Sequence, residues 1–183
     1  MTWVDYLMIL LIVGYGGLGF FTGVLQRLIG LVSLYLAFVA ATNMGIQAGG
    51  ILQQSSGFDI ADSRIYGFFG IVFAVIIVIE VAATLARSQI KIEAIVFDRV
   101  SGVVVGLITA FTLSVLLTFE FIAAGNPIGG SQLDQLQQNI RDAAVGSKVA
   151  VPIVKLVGRP IVQVFGPVLP SDPQIFFGTN PVS

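Results

Sequence analysis

Of the side chains in this chain of 183 residues, Glu80 is the strongest candidate for a chemical role. It lies inside the apolar segment 65–86, where an ionisable group marks a proton or cation site by default. Arg87 follows two turns later on the same helix face and reaches back only partly. The alternative is a carboxyl group that is neutral or hydrogen-bonded and merely packs, with Thr84, Ser33 or Thr112 as its neighbour. Proteins that move ions usually carry several such residues, which favours packing.

Other catalytic chemistry finds little support in the composition. His and Cys are both absent, which removes the usual zinc sites, haem ligands, disulfides and thiol or His-activated nucleophiles. Asp5 and Glu120 lie at the ends of apolar segments, where an ion pair with Arg64 would fix helix ends, and nothing brings them together as an acid and base pair. The sequence therefore predicts a protein that is not an enzyme, with no catalytic residue, metal or cofactor.

The glycines have two interpretations. The stretch 14–19 spells G-x-G-x-x-G, yet it has no preceding strand and no acidic residue about 20 positions later, as a dinucleotide site requires. Small residues four positions apart instead favour close helix approach in a membrane. The predicted helix-packing residues are Gly16, Gly19, Gly23, Gly102 and Gly106.

Asp98 and Arg99 stand in a short charged loop at the start of an apolar segment. A carboxylate at this position caps a helix and complements its positive end. We therefore expect Asp98 to cap the last span, and Arg99 to contact a lipid phosphate or to pair with Glu93.

Long apolar segments must hold these residues. The chain is 56% hydrophobic and only 10% charged, against about 25% charged in a soluble domain, so lipid is its main solvent. We predict an all-α integral membrane four-helix bundle (residues 1–125) with spans 7–25, 28–46, 65–86 and 100–119. A tight turn at Gln26 and Arg27 would join the first two spans.

The remaining residues, 126–183, are predicted to be an amphipathic tail. Their second apolar stretch, 149–169, carries Lys155 and Arg159 near its middle and is interrupted by three prolines. Both features disfavour a fifth span. Short helices lying on the membrane surface or on the bundle are expected instead.

Positive charge sets the expected orientation. Four basic residues flank the two short loops on one side, and Arg64 alone lies close on the other; the four are Arg27, Arg87, Lys91 and Arg99. Short loops rich in Lys and Arg face the cytoplasm. Both termini and the tail are then extracytoplasmic. The net charge of −1 and the scattered basic residues exclude a nucleic-acid partner.

Two segments of the first 120 residues carry a family resemblance. One has Asp5, a long apolar run, Gly19-Phe20-Phe21-Thr22-Gly23 and then a basic residue. The other is Asp98-Arg99-Val100-Ser101-Gly102, followed by Gly106. Both resemble motifs of the colicin V production protein family of small bacterial inner-membrane proteins, although Thr22 stands where a basic residue is common. The resemblance implies a four-span module needed for toxin production or export, and no catalytic residues.

The function expected from these features is non-enzymatic support of toxin production, secretion or envelope processes in the bacterial cytoplasmic (inner) membrane. Partners would be the lipid bilayer and other membrane proteins or further copies of the chain, contacted through the glycine faces and the tail. The alternative is a small oligomeric transporter or channel that uses Glu80.

Overall fold

The computed structural model describes residues 1–87, 95–125 and 135–170, and these ranges contain five α-helices and no strand. The all-α prediction is confirmed. The helices are α1 (Trp3–Ser56), α2 (Ile60–Arg87), α3 (Ile95–Ala124), α4 (Gln135–Val145) and α5 (Ala150–Phe165), and a short 3-10 turn follows at Gly166–Val168. Glu93 and Lys91, the helix start expected at Ser131, and the last residues of the tail lie outside the described residues.

Helix α1 is folded back on itself at Gly23, whose backbone is non-helical (φ 79°, ψ 176°). A straight helix would separate residues 3 and 38 by about 52 Å. Four successive ring contacts instead connect them, from Trp3 through Phe121, Phe69 and Phe68 to Phe38, with centroids 4.8–6.0 Å apart. The helix therefore consists of a first arm (residues 3–22) and a second arm (residues 24–56), which form the expected hairpin.

The position of the reversal differs from the prediction. Gln26 and Arg27 were expected to form the turn, because polar residues between apolar runs are typical of loops. Both lie inside the second arm and are buried, at 2% and 1% exposure. The chain reverses at Gly23 because this φ/ψ combination is essentially restricted to glycine.

The two arms, α2 and α3 form an antiparallel bundle with two distinct ends. One end, called here the turn end, holds Gly23 and the first turn of α3, where Val24 contacts Asp98. The opposite end, called the N-terminal end, holds Trp3 against Phe121 near the end of α3. The hydrophobic core between them is continuous and includes Phe38, Phe68 and Leu117, all fully buried.

Helix α5 packs on the bundle, mainly on α3. At its start, the Val149 N–H donates to Asp5; past its end, the carbonyl of Val168 accepts from Thr42 at 2.8 Å. Thr42 is 19 residues beyond Gly23, or about 28 Å along the second arm. Phe165, the last residue of α5, packs on Tyr35 and Phe38 of the same arm. The prolines do not break this helix: Pro152 lies in its first turn, where no backbone donor is needed, and Pro160 lies inside it.

Among the described residues, four helices are long and apolar enough to cross a membrane: Trp3–Ser56, Ile60–Leu85, Val96–Ala124 and Ala150–Val168. The first of these is the folded helix α1, so it supplies two arms of the bundle. The fourth contains α5, which was expected to lie on the membrane surface or on the bundle and which has the length and composition of a span. The chain is therefore a multi-pass membrane protein.

Candidate functional site

Glycines allow the first arm and α3 to approach closely near the turn end. A Cβ on Gly19 would collide with the backbone of Gly102, and a Cβ on Gly102 would collide with Gly19 and Gly23. Gly106 packs on the backbone of Tyr15, and Gly16 on the Leu107 side chain. The predicted packing glycines thus all lie at contacts within the chain.

Asp98 ties the turn to α3. It lies in the first turn of α3, and its Oδ1 accepts a hydrogen bond of 2.9 Å from the Val24 N–H, the first amide of the second arm. Asp98 therefore also caps the second arm of α1, a helix that the sequence did not assign to it. A carboxylate there also complements the positive end of the second arm. Its Oδ2 lies so close to Gly23 that no Cβ fits.

A buried ion pair lies next to this turn. Arg27 Nη2 donates to Glu80 Oε2 at 2.9 Å, with the two side chains 1% and 19% exposed. Arg27 also donates through Nε to Thr22 Oγ1 at 3.0 Å, and its guanidinium lies 5.6 Å from the centre of the Tyr15 ring. The guanidinium is thus held from three sides.

Glu80 has a partner that sequence reasoning missed. Of the expected neighbours, Thr84 donates to the Glu80 backbone carbonyl, while Ser33 and Thr112 bond to carbonyls within their own helices. Arg27, which supplies the pair, is 53 residues away. The signal that could have found it was a second ionisable residue inside the apolar runs, which had been assigned to a loop.

An open groove of about 360 Å³ runs beside the ion pair, between the first arm and α2. Its walls are apolar and comprise Leu18, Val81 and Leu85. Its floor is polar and comprises Thr22, Gln26, Arg27, Glu80 and Thr84. The groove therefore combines an apolar flank with a zwitterionic floor, and we call it the Arg27–Glu80 groove.

Three polar atoms at this floor have no hydrogen-bond partner within the described residues. They are Arg27 Nη1, a donor, and Glu80 Oε1 and Gln26 Oε1, two acceptors. Gln26 donates through its amide nitrogen to Thr84 Oγ1, at 2.5 Å. A buried polar group without a partner costs about 1–3 kcal/mol, so the floor holds unused capacity for both a donor and an acceptor.

Asp5 forms a second polar cluster, at the N-terminal end. Its Oδ1 accepts from Ser147 Oγ at 2.6 Å and from the Val149 N–H at 2.9 Å, and its Oδ2 accepts from the Thr2 N–H at 2.7 Å. Asp5 is fully buried. It therefore fastens the start of α1 to the connection between α4 and α5.

Asp5 and Glu120, the two carboxylates expected near Arg64, have different surroundings. Asp5 is used as described, and Glu120 is fully buried with no hydrogen-bond partner for either carboxyl oxygen in the described part of the chain. Arg99 is exposed, and its guanidinium lies 5.4 Å from the centre of the Phe20 ring. Its expected partner Glu93 lies outside the described residues.

Comparison with known protein families identifies the family to which this chain belongs. The model of the colicin V production protein family matches residues 4–154, which include both arms, α2, α3, α4 and the start of α5. Comparisons with curated proteins and with solved structures gave no match. Because the match covers most of the chain and includes the glycine contacts, Asp98 and the ion pair, the chain belongs to the colicin V production protein family.

Proposed function

We propose that this protein is a non-enzymatic component of the bacterial inner membrane that supports toxin production or secretion through partner proteins. The family match supports the role in colicin V production. The partner-binding surface is the outward face of α5, which exposes Leu156 (83%) and Val164 (66%) beside the exposed Lys155 and Arg159. This mixture of apolar and basic groups suits a partner with an apolar contact and acidic rim.

The outward face of α5 carries this proposal because α5 is held in place. Asp5 fastens its start and Thr42 its far end, and Phe165 packs on Tyr35, with centroids 5.7 Å apart. The glycine faces, by contrast, are occupied by the chain's own helices. Between α5 and the bundle an apolar groove of about 510 Å³ adds contact area, lined in part by Tyr35, Ile108 and Ile161.

The test uses a colicin V-producing strain that lacks this chain. Wild-type protein should restore toxin in the medium and crosslink to a partner, whereas Leu156→Ala combined with Val164→Ala should lose both effects. The matched control is Leu10→Ala, because Leu10 is 68% exposed but lies on the first arm. Full toxin release by the α5 variant, or a wild-type chain that never crosslinks to another protein, would contradict the proposal.

We further propose that the turn end is cytoplasmic and the N-terminal end extracytoplasmic. Arg27 is used in the ion pair, yet Arg87, Lys91 and Arg99 still exceed the single Arg64 on the opposite side. The chain has no cysteine, so single-cysteine reporters have no background. In intact cells an impermeant maleimide should label Ser55→Cys and not Val96→Cys; the reverse pattern would invert the topology.

A second candidate function, ion transport, is favoured by the position of Glu80 on an open groove. Protein reconstituted in liposomes would then conduct protons or cations, and Glu80→Gln would abolish the flux. Absence of flux in the wild type would eliminate this candidate.

A further inference from the structure

We propose that the Arg27–Glu80 groove binds the headgroup of a phospholipid that carries a primary amine, namely phosphatidylethanolamine. The phosphate would accept from Arg27 Nη1, and the ammonium group would donate to Glu80 Oε1 or Gln26 Oε1. These are the atoms that have no partner within the described residues. A zwitterion of this kind supplies the missing acceptor and the missing donor together.

Charge selects this ligand over other lipids. Arg27 and Glu80 neutralise each other, so the floor has no net charge to attract an anionic lipid. A phosphatidylcholine headgroup carries a trimethylammonium group with no N–H, and phosphatidylglycerol carries no nitrogen. Phosphatidylcholine therefore cannot donate to the carboxylate of Glu80, and phosphatidylglycerol can offer only neutral hydroxyl donors while adding a net negative charge. A charge-assisted hydrogen bond of this type corresponds to a difference of about tenfold in affinity.

The depth of the groove in the bundle matches the headgroup region. Arg27 lies four residues, or about 6 Å, beyond Gly23, and Glu80 lies seven residues, or about 10 Å, before the end of α2 at Arg87. The polar zone of a bilayer leaflet is roughly 5–8 Å thick. The floor is therefore near the boundary between headgroups and acyl chains.

The walls provide for the rest of a lipid. Leu18, Val81 and Leu85 are 50%, 54% and 69% exposed on the lipid-facing side of the groove, so an acyl chain can lie along them. The volume of about 360 Å³ is within the range of small-ligand sites. The unpaired atoms are themselves buried, and Glu80 Oε1 faces Gly30. Binding therefore requires the Arg27 and Glu80 side chains to turn together towards the groove.

The experiment measures lipid retention by native mass spectrometry of the full chain in detergent. The protein is offered equal amounts of dioleoyl phosphatidylethanolamine, phosphatidylcholine and phosphatidylglycerol. We expect the first lipid to be retained about tenfold more than either of the others. Equal retention of the three lipids would overturn the proposal.

Two variants locate the site without removing the ion pair. Val81→Trp should fill the groove and cut the retention of phosphatidylethanolamine about tenfold. Val78→Trp is its matched control, because Val78 is 66% exposed on the same helix and does not line the groove. The proposal fails if both variants, each eluting as a single folded species, retain the lipid as the wild type does.

A further measurement distinguishes a membrane lipid from a soluble solute with the same headgroup chemistry. Free phosphoethanolamine at the concentration of the lipid should leave retention unchanged, because it lacks the acyl chains that contact the walls. Displacement of the lipid by the free headgroup would overturn the lipid assignment.

Discussion

Each end of the bundle has a carboxylate that joins two segments of the chain, Asp5 at one end and Glu80 at the other, and their hydrogen bonding differs. At the N-terminal end, both oxygens of Asp5 accept hydrogen bonds, from Thr2, Ser147 and Val149. At the turn end, Glu80 uses one oxygen for Arg27 and keeps the other without a partner in the described residues. A saturated carboxylate serves as a fastening, whereas a half-saturated one beside a groove is able to bind something else.

The two ends also differ in how their backbone is held. The turn end depends on one residue, Gly23. Its backbone conformation is unfavourable for any residue other than glycine, and its Cα lies against Asp98. The N-terminal end is held by several hydrogen bonds from α4 and α5, each of ordinary geometry. The turn end should therefore tolerate substitution least.

The largest effect is expected for Gly23→Ala. The φ/ψ region of Gly23 costs a non-glycine residue about 1–3 kcal/mol, and the added Cβ would also collide with Asp98. We expect almost no monodisperse protein in size-exclusion chromatography of detergent extracts. Gly17→Ala is the control, because a Cβ there meets nothing within 4 Å; equal yields of the two variants would show that the reversal does not depend on Gly23.

Breaking the ion pair should have the next largest effect. Arg27→Met leaves Glu80 charged and without its partner, which costs about 3–5 kcal/mol in buried pairs. The free energy of unfolding is measured by SDS titration in mixed micelles. Arg27→Met combined with Glu80→Met should recover most of the loss; a double variant as unstable as the single one would mean that the arginine acts through packing alone.

Asp5→Ala tests the N-terminal end and should lower the free energy of unfolding by less, about 1–3 kcal/mol. It leaves the donors of Thr2, Ser147 and Val149 without their acceptor, but all three are neutral, whereas Arg27→Met leaves a buried charge without its partner. The same SDS titration measures the loss, and limited proteolysis should now cut between α4 and α5. Asp142→Ala, at an exposed position within α4, is the control and should change neither readout.

The smallest effect is expected for Thr22→Val. It removes the acceptor for Arg27 Nε, 3.0 Å away, while keeping the shape of the side chain. A loss of about 1 kcal/mol in the same titration is expected. A loss as large as that of Arg27→Met would mean that Thr22, rather than Glu80, is the principal partner of the guanidinium.

Sequence reasoning succeeded where one segment carries the whole signal. Apolar run length predicted an all-α membrane chain. It failed where partners are distant in sequence. Arg27 looked like a loop residue because its counter-charge, Glu80, is 53 positions away. The contact between Asp98 and the Val24 amide was missed, because nothing in the sequence places that amide beside it.

The long separation between Arg27 and Glu80 also imposes an order on biogenesis. At roughly 5–20 residues per second, translation delivers Glu80 about 3–10 s after Arg27. During that interval the nascent second arm carries a cation with no protein counter-charge, and only water or lipid phosphate can solvate it. The hairpin of α1 must therefore wait at the bilayer surface or within the insertion machinery until α2 emerges, so the first two passes mature together with the third.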